Sequence, residues 1–241
     1  MTNVILDQPQ KILILQPMFI PWIGYFNMIN LCDVFVILDT VQFSKQSWQQ
    51  RNKIGSVRGP IWLTIPVKRN FGVLVKDAEI NYSENWVHSH LRSIHLNYCR
   101  TKYFDEVYTL LEKHYLNSYQ KVCDFTSNII VDIASYLGIT TEIIFASSLP
   151  THKPLVPKDY LINICKHFGA KKYINGPAGR VLYTEQEFKD HDIDLIFHDY
   201  AHPTYSQAHG SFTPYLSTID LLFNHGSDSL AIISQGSKNE I

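Results

Sequence analysis

Two short apolar segments near the start of the chain, with a helical segment between them, constrain the fold most strongly. Lys11–Leu15 (KILIL) and Asp33–Asp39 (DVFVILD) have the length and composition of strands that are buried on both faces. Pro17 ends the first segment, because proline lacks the N–H group that a sheet requires. Between the two, the apolar residues of Ile23–Cys32 recur at helical spacing. The pattern predicts a β-α-β unit and therefore an α/β fold with a parallel or mixed sheet.

The residues that follow these two strands are the first candidates for a site, because ligands of open α/β sheets bind beyond the carboxyl ends of the strands. They are Gln16, Pro17 and Phe19 after the first strand, and Asp39, Gln42 and Phe43 after the second. An acidic residue in this position suits a general base or a contact to a sugar hydroxyl group. Asp39 is therefore a candidate catalytic residue.

The rest of the sequence extends this unit into one expected domain, residues 1–241, with a helical elaboration at about 84–138. Further strands are predicted at Ile61–Val67, Val75–Ile80, Glu142–Phe145, Lys172–Ile174 and Asp194–His198. Further helices are predicted at Trp86–Tyr98, Tyr103–Tyr115, Lys121–Leu137, Asp159–Phe168, Glu185–His191 and Phe212–Asn224. Residues from 227 onward are expected to be peripheral, and Pro66 indicates an edge position or a bulge.

The composition excludes several classes of protein. The net charge of −1 over 241 residues does not favour general binding to DNA or to a membrane surface. The four cysteines are widely spaced and match no zinc motif, which suits buried free thiols in a reducing compartment. The first ten residues do not resemble a signal peptide, and no apolar run is long enough to insert in a membrane. We therefore expect a cytoplasmic protein.

Residues 40–52 are polar and aromatic without a regular period, and they are predicted to form a long loop or a short helix. One interpretation is a small cluster of Phe43 and Trp48 beneath a surface loop. The other is a binding loop, because amides beside aromatic rings suit the recognition of sugars or bases. Both remain open from the sequence.

Two other loops carry positive charge. Lys68 and Arg69 follow the predicted third strand and suit either a phosphate or a solvated turn. The glycine-rich segment 175–180 follows another strand but lacks both phosphate-binding glycine motifs, so a plain turn is favoured for its backbone. Arg180 at its end is retained as a candidate that points into a site.

Two further titratable residues are candidates. His202 lies in an irregular stretch with His198 and His209, and it suits a general base or a substrate contact better than a metal ligand, because no metal-binding spacing is present. Asp220 lies inside the last apolar helix. It is either catalytic or a buried carboxylate that is paired with Arg51 or Arg180.

Four segments together resemble the WbqC-like family of bacterial proteins over nearly the whole chain. They are Q-P-x-F-x-P-W-x-G-Y-F-x-x-I from Gln16, D-V-F-V-x-x-D-x-V-Q-F from Asp33, W-x-x-R-N from Trp48, and Y-x-Q…F-x-P-x-L-S-x-I-D-L-L-F-N from Tyr205. The resemblance implies a role in making O-antigen or other surface polysaccharides, and some members are described as glycine or aminoacyl transferases. A fainter similarity links the first segment to nucleotidylyltransferase-like folds. Trp22–Tyr25 stands where those folds carry H-x-G-H, and both histidines are absent.

The resemblance implies an enzyme that transfers an acyl or aminoacyl group, such as glycyl, to the amine of a nucleotide-linked deoxyamino sugar. Asp39 or His202 would deprotonate the attacking ammonium. The expected substrate-binding residues are Gln16, Pro17, Phe19, Trp22, Gly24, Tyr25, Gln42, Phe43, Trp48, Arg51, Asn52, Lys68, Arg180, Tyr205 and Gln207. Among them, the aromatic residues would stack on a ring, the cations would neutralise phosphates, and Gly24 would let the backbone approach the ligand.

The expected partners are a nucleotide-linked sugar and an acyl or aminoacyl donor, with a homodimer as a candidate assembly, and the sequence indicates no particular cofactor. Two alternatives stay open. The first is a non-catalytic protein that binds nucleotide sugars or glycans, and the second is an ATP-dependent acid–amine ligase.

Overall fold

The computed structural model of the protein describes residues 10–68, 72–151 and 156–238. Positions 1–9, on which the signal-peptide prediction depends, lie outside this part, as does Arg69. The strands are β1 Lys11–Leu15, β2 Val34–Ile37, β3 Arg51–Ile54, β4 Ile61–Thr64, β5 Glu142–Phe145, β6 Lys172–Asn175 and β7 Asp194–Phe197. The helices are α1 Ile23–Asn30, α2 Trp86–Tyr98, α3 Phe104–Leu116, α4 Val122–Tyr136, α5 Pro157–His167, α6 Glu185–Lys189, α7 Thr218–His225 and α8 Ser229–Ser234.

A five-stranded sheet in the order β5-β2-β1-β6-β7 forms the centre of the molecule. Every pairing in it is parallel, and Ile12 lies opposite Val34 on one side and Tyr173 on the other. The predicted α/β fold, its opening β1-α1-β2 unit and its helical middle section at α2–α4 are confirmed. In chain order, β2 and β5 are added on one side of β1. The next two strands, β6 and β7, are added on its other side, so the direction in which strands are added reverses between β1 and β6.

Both faces of this sheet are covered, as the continuous apolar runs of its strands predict. Leu13, Phe35 and Ile174 pack on one face in the larger core, which α1, α2–α4, α7 and α8 complete. Ile12 and Val36 face the other way and pack with residues of α5 and α6. Alternation of side chains along each strand thus divides the interior into two layers of core.

Four sequence predictions are wrong at this level. The helix predicted at Phe212–Asn224 begins only at Thr218. Val75–Ile80 is not a strand, and its first residues form a 3-10 turn at Val75–Asp77. The strand predicted at Ile61–Val67 ends at Thr64, so Pro66 lies beyond it. The final segment is not peripheral, because α8 packs on α1 and Ile233 is completely buried.

The sequence predicted a strand that covers β4 but not the antiparallel hairpin that it forms with β3. Lys53 pairs with Trp62 and Asn52 with Leu63. Its first strand falls at the end of the segment predicted as a loop. The sequence R-N-K-I carries no apolar alternation, so the strand depends on its partner and on the contacts of Asn52 described below.

Asp220 joins the end of α2 to the final helices without any arginine. Its carboxylate is completely buried and accepts hydrogen bonds from the Tyr98 hydroxyl at 2.8 Å and the Tyr205 hydroxyl at 3.0 Å. Gln207 donates at 2.9 Å, and His209 Nε2 lies 2.6 Å away. The pairing with Arg51 or Arg180 that the sequence suggested is therefore not formed, and these groups satisfy the oxygens of the buried side chain instead.

His90 joins the helical middle section to the hairpin. Its Nε2 accepts a hydrogen bond from the Thr64 N–H at 3.0 Å, so Nδ1 carries the proton and donates to the Tyr115 hydroxyl at 3.2 Å. Its ring also stacks on Phe19, with centroids 5.9 Å apart. Burial lowers the pKa of His90 from 6.5 to about 4, because a charged imidazole would lose its hydration.

This shift predicts how the protein responds to acid. Between pH 6.5 and about 4 the unfolded chain protonates His90 and the folded protein does not, so stability is fully present above pH 6.5 and falls as the pH decreases. The slope from this residue is at most about 1.4 kcal/mol per pH unit. Urea unfolding at pH 7 and pH 5 should show that His90→Gln loses less stability on acidification than the wild type. The exposed His88 in the same helix provides the control: His88→Gln should follow the wild-type profile. Equal acid sensitivity of His90→Gln and the wild type would contradict this account.

Candidate functional site

A cleft of about 380 Å³ opens at the carboxyl ends of β1 and β6, where the strand order reverses. Crevices at such positions are where open α/β sheets bind ligands. Apolar, aromatic and amide residues line it: Leu15, Met18, Trp22, Tyr25, Met28, Trp48, Asn52, Asn175, Gly176, Pro177, Ala178, Gly179 and Tyr215. No charged side chain is among them. The cleft therefore suits a ligand part that has flat or apolar surfaces.

The loop between β1 and α1 is held in a strained conformation by Asn52. The Asn52 Nδ2 donates to the carbonyl oxygens of Phe19 at 3.2 Å and Ile20 at 2.8 Å, and its Oδ1 accepts from the Lys53 N–H at 2.8 Å. Ile20 has a φ of 37°, which is rare for a β-branched residue and costs about 1–3 kcal/mol. The Phe19 N–H also donates to the Trp48 carbonyl oxygen at 2.8 Å. The hairpin and the loop after β1 are thus joined into one unit, which brings Trp22 and Trp48 into the wall of the cleft.

Trp22 forms a wall of the cleft because Gly24 lacks a side chain. A methyl group at Gly24 would lie 2.2 Å from the indole, so the ring packs directly on the backbone of α1. On its other sides the indole contacts the rings of Tyr200 at 5.3 Å and Tyr215 at 5.7 Å between centroids. The sequence predicted that Gly24 would let the backbone approach a ligand. In the structure it lets the backbone approach the Trp22 ring instead.

Asn175 supplies a polar group in this mainly apolar cleft, and sequence reasoning missed it. It ends β6 and is 6% exposed. Within the described residues, its carboxamide makes no hydrogen bond. Gly179 leaves room for it, since a methyl group there would lie 2.5 Å from Asn175 Nδ2. The only sign of Asn175 in the sequence was its position directly after a predicted strand. In the loop that follows this strand, Arg180 was the one residue predicted to belong to a site.

The two predicted catalytic residues do not line the cleft. Asp39 is 2% exposed, and its carboxylate accepts from the Ser147 N–H at 2.9 Å and the Ser147 hydroxyl at 2.5 Å, which fixes the turn after β5. His202 lies behind Trp22, with the two rings stacked 6.3 Å apart. Burial lowers the pKa of His202, so the neutral ring donates from Nδ1 to the Pro203 carbonyl oxygen at 2.9 Å. Its Nε2 is buried and has no hydrogen-bond partner in the described part of the chain.

The predicted substrate-binding residues separate into three groups. Those on the cleft wall are Trp22, Tyr25, Trp48 and Asn52. Those beneath it or in the adjoining core are Gln16, Pro17, Phe19, Gly24 and Phe43. Those directed elsewhere are Gln42, Lys68, Arg180, Tyr205 and Gln207, while Arg51 lies on the outer face of the hairpin. Lys68 pairs with Glu79 at 2.8 Å and Arg180 with Asp199 at 3.0 Å, so neither cation is directed into the cleft.

The wall residues are themselves anchored. The Tyr25 hydroxyl donates to the Gln16 carbonyl oxygen at 3.0 Å, and Gln49 Nε2 donates to Gln16 Oε1 at 2.5 Å. Burial raises the pKa of Tyr25 well above its usual value, so its hydroxyl stays protonated at neutral pH. This hydrogen-bond chain joins the loop after β1 to the segment that carries Trp48.

Comparison with known proteins identifies the family. A sequence model of the WbqC-like protein family matches residues 16–232. The chain belongs to the WbqC-like family. A relative in Mycobacterium tuberculosis, whose printed name is "Uncharacterized protein Rv1507c", is 32% identical over 224 residues, which cover 91% of this chain and 96% of that protein. No solved structure matches the chain.

The region that matches the WbqC-like family contains every residue of the cleft wall except Leu15. Among the described residues, no three His, Cys, Asp or Glu side chains are grouped so that they could hold a metal ion. None of the helices in the same part of the chain has the length and apolar character to cross a membrane. The features of the site that this WbqC-like protein offers for chemistry are therefore its ring-lined cleft and the groups around its mouth.

Replacement of Asn52 tests whether the loop depends on its clamp. Asn52→Ala leaves the buried carbonyl oxygens of Phe19 and Ile20 without their donor, which should lower the free energy of unfolding by about 3 kcal/mol. Asn52→Asp places a carboxylate against the same two oxygens and should cost at least as much. Urea denaturation measures both. Asn85→Ala, at an exposed position without a side-chain cap bond, should stay within about 0.5 kcal/mol of the wild type. Near-wild-type stability of Asn52→Asp would show that the clamp does not hold the loop.

Proposed function

We propose that this WbqC-like protein binds the base of a nucleotide-linked amino sugar in the cleft between β1 and β6. It acts in the biosynthesis of bacterial surface polysaccharide, where it transfers an acyl or aminoacyl group to the amine of the sugar. The observation that carries the binding part is the Asn175 carboxamide, which lies in a cleft lined by aromatic rings and makes no hydrogen bond to the described residues.

A nucleobase has the shape and polarity that this cleft requires. Its flat faces can stack on aromatic rings, and Trp22, Trp48 and Tyr215 supply such rings. Its edge carries neighbouring donors and acceptors, and a carboxamide can pair with both at once because it has one oxygen and one N–H₂ group. A volume of about 380 Å³ lies at the small end of ligand pockets, which suits the base rather than the whole nucleotide sugar.

The strand order supports the same placement. In the order in which they occur along the chain, the strands of the central sheet are arranged 3-2-1-4-5, the order of doubly wound nucleotide-binding sheets. The cleft lies at the reversal point of that order. This arrangement accords with the distant nucleotidylyltransferase-like fold that the first sequence segment suggests, and it indicates where a nucleotide would bind without indicating adenylyl transfer.

The transfer part of the proposal is supported by the family resemblance and by one candidate base. Acyl transfer to a sugar ammonium requires a group that removes its proton. The lowered pKa of His202 keeps its ring neutral at pH 7, and its Nε2 has no partner among the described residues, whereas Asp39 is held by Ser147. His202 lies one ring behind the cleft wall, so the amine would have to be presented beside Trp22.

A second candidate function is binding without chemistry. It is favoured by the absence of carboxylate, imidazole and amine side chains from the residues that line the cleft. In this case the protein would hold a nucleotide sugar for a glycosyltransferase or another partner. Both functions predict the same affinity for nucleotides. They differ because only the transfer function yields an acylated sugar.

Asn175→Asp tests the proposed contact to the base. The change keeps the shape of the side chain, removes its donor and adds a negative charge, so nucleoside affinity should fall at least tenfold, or about 1.4 kcal/mol. Calorimetric titration with uridine, thymidine, guanosine, cytidine and adenosine measures this. Gly179→Ala should act in the same direction, since its methyl group displaces the carboxamide. Asn85→Asp makes the same chemical change at an exposed position outside the cleft and should bind normally.

Three outcomes separate the hypotheses. Equal affinity in Asn175→Asp and wild type would remove the base from this cleft. Preference for ATP over the other nucleotides would favour an ATP-dependent acid–amine ligase. With a bound nucleotide amino sugar and either acyl-CoA or aminoacyl-tRNA, mass spectrometry should detect the acylated sugar, and retained binding without product would favour the non-catalytic function.

A further inference from the structure

Two exposed tryptophans lie together at the outer face of the β3–β4 hairpin, Trp62 in β4 and Trp48 in the segment before β3. Trp48 is 46% exposed and Trp62 is 44% exposed, and their ring centroids lie 5.5 Å apart. Exposed apolar side chains of this size that lie together commonly mark a binding surface. Trp48 also lines the cleft, so the pair extends the cleft wall outward across the hairpin.

Two cations lie on the Trp62 ring. The guanidinium carbon of Arg51 is 4.5 Å from its centroid, and the ammonium of Lys53 is 4.9 Å from it. Strand alternation explains the arrangement, because Arg51 and Lys53 share the face opposite to Asn52 and Lys53 pairs directly with Trp62. Attraction to the indole face holds both side chains in place.

These cations have no anionic partner within the described residues. The ion pairs there involve other lysines, arginines and histidines, and no carboxylate reaches Arg51 or Lys53. Their N–H groups are therefore available to a ligand. Preorganised cations that lack a protein counter-ion are the arrangement that binds phosphate by charge-assisted hydrogen bonds.

The hairpin has a fixed position relative to the cleft. The Ser217 N–H donates to the Lys53 carbonyl oxygen at 2.8 Å, and Ser217 also bridges Trp22, a wall of the cleft. The ring centroids of Trp48 and Trp62 are 5.5 Å apart, and the guanidinium carbon of Arg51 is 4.5 Å from the Trp62 centroid. The guanidinium carbon therefore lies within about 10 Å of the Trp48 centroid. A phosphate joined through a ribose to a base in the cleft can span that distance.

We infer that Arg51, Lys53 and Trp62 form a second subsite, here called the hairpin subsite, which binds the diphosphate of the nucleotide whose base occupies the cleft. The inference rests on the proposed function. The sequence predicted that Lys68 or Arg180 would bind phosphate together with Arg51. In the hairpin subsite Lys53 takes that place and Trp62 holds both cations, and the sequence indicated neither residue. Trp48 separates the two subsites and contacts both parts of the ligand.

The diphosphate is the part of the ligand that this surface suits. The described residues that line the cleft carry no charge and cannot neutralise a phosphate, whereas the hairpin subsite carries two positive charges and no negative one. Two cations match the two negative charges of the diphosphate ester in a nucleotide sugar. A neutral glycan would gain nothing from these charges, so the effect of their removal identifies the ligand.

Removal of the two charges tests the hairpin subsite. The double variant Arg51→Met, Lys53→Met keeps apolar stems along the indole and loses both cations. Calorimetric titration compares uridine with UDP, thymidine with dTDP and guanosine with GDP, at low and at moderate salt. For the wild type we expect the diphosphate to bind at least tenfold more tightly than its nucleoside, with an advantage that decreases in salt. The double variant should lose this advantage and keep nucleoside affinity within about twofold of the wild type.

Lys171→Met is the control for a general effect of charge. Lys171 is exposed and precedes β6, at the amino end of the sheet opposite to the cleft, so its loss should leave both affinities unchanged. An undiminished diphosphate advantage in the double variant, with nucleosides still bound, would overturn the hairpin subsite and leave the base site intact. Failure of the wild type to bind any nucleoside or nucleotide would overturn the proposed function, and the hairpin subsite with it.

Discussion

The bonds from the Asn52 carboxamide to the carbonyl oxygens of Phe19 and Ile20 are the contact on which the site depends. They hold the loop after β1 in a conformation that isoleucine does not adopt by preference, and they tie this loop to the hairpin. Trp22 follows the loop directly, and Trp48 and Trp62 belong to the hairpin side of the contact. Strained backbone of this kind persists only where its surroundings hold it, and it occurs most often at functional sites.

The site separates apolar recognition from charge. The cleft at the reversal point of the sheet is lined by rings and amides, among them the Asn175 carboxamide, which has no hydrogen-bond partner in the described part of the chain. The cations lie outside it, on the Trp62 ring, where water and a ligand can both reach them. A nucleotide has the same division between a flat base and a charged diphosphate. The position of each group relative to the sheet is thus consistent with a nucleotide that lies across Trp48.

Local patterns in the sequence were sufficient for the central sheet and most helices. Lys11–Leu15, Glu142–Phe145 and Trp86–Tyr98 have the same limits in the structure as in the prediction, because each has a continuous or periodic apolar pattern that local chemistry decides. The strand Arg51–Ile54 lacks such a pattern and forms through its pairing with β4. Its partner follows only six residues later, so the missing information is the contact of Asn52 with the distant Phe19 and Ile20.

The site was less predictable than the fold for the same reason. Trp48 was identified because it lies beside amides in a long irregular segment, and Trp22 because it belongs to the segment that resembles the WbqC-like family. Asn175 is a single amide at the end of a strand, and its close packing on Gly179 is visible only in the structure. Asp39 had the right position in the sequence for a base, but its partner Ser147 comes from a distant turn. Burial and pairing of this kind arise from tertiary contacts that no local pattern records.

The central claim is that a nucleotide places its base in the cleft, and the indole N–H signals in a ¹H–¹⁵N correlation spectrum test it most directly. The four tryptophans, Trp22, Trp48, Trp62 and Trp86, report on different places, and Trp-to-Phe variants assign them. Saturation with the tightest-binding nucleotide should shift the signals of Trp22 and Trp48 in the cleft and Trp62 on the hairpin. The signal of Trp86, buried against His90 and Phe125, should stay in place. Unchanged Trp22 and Trp48 signals with bound nucleotide would contradict the account.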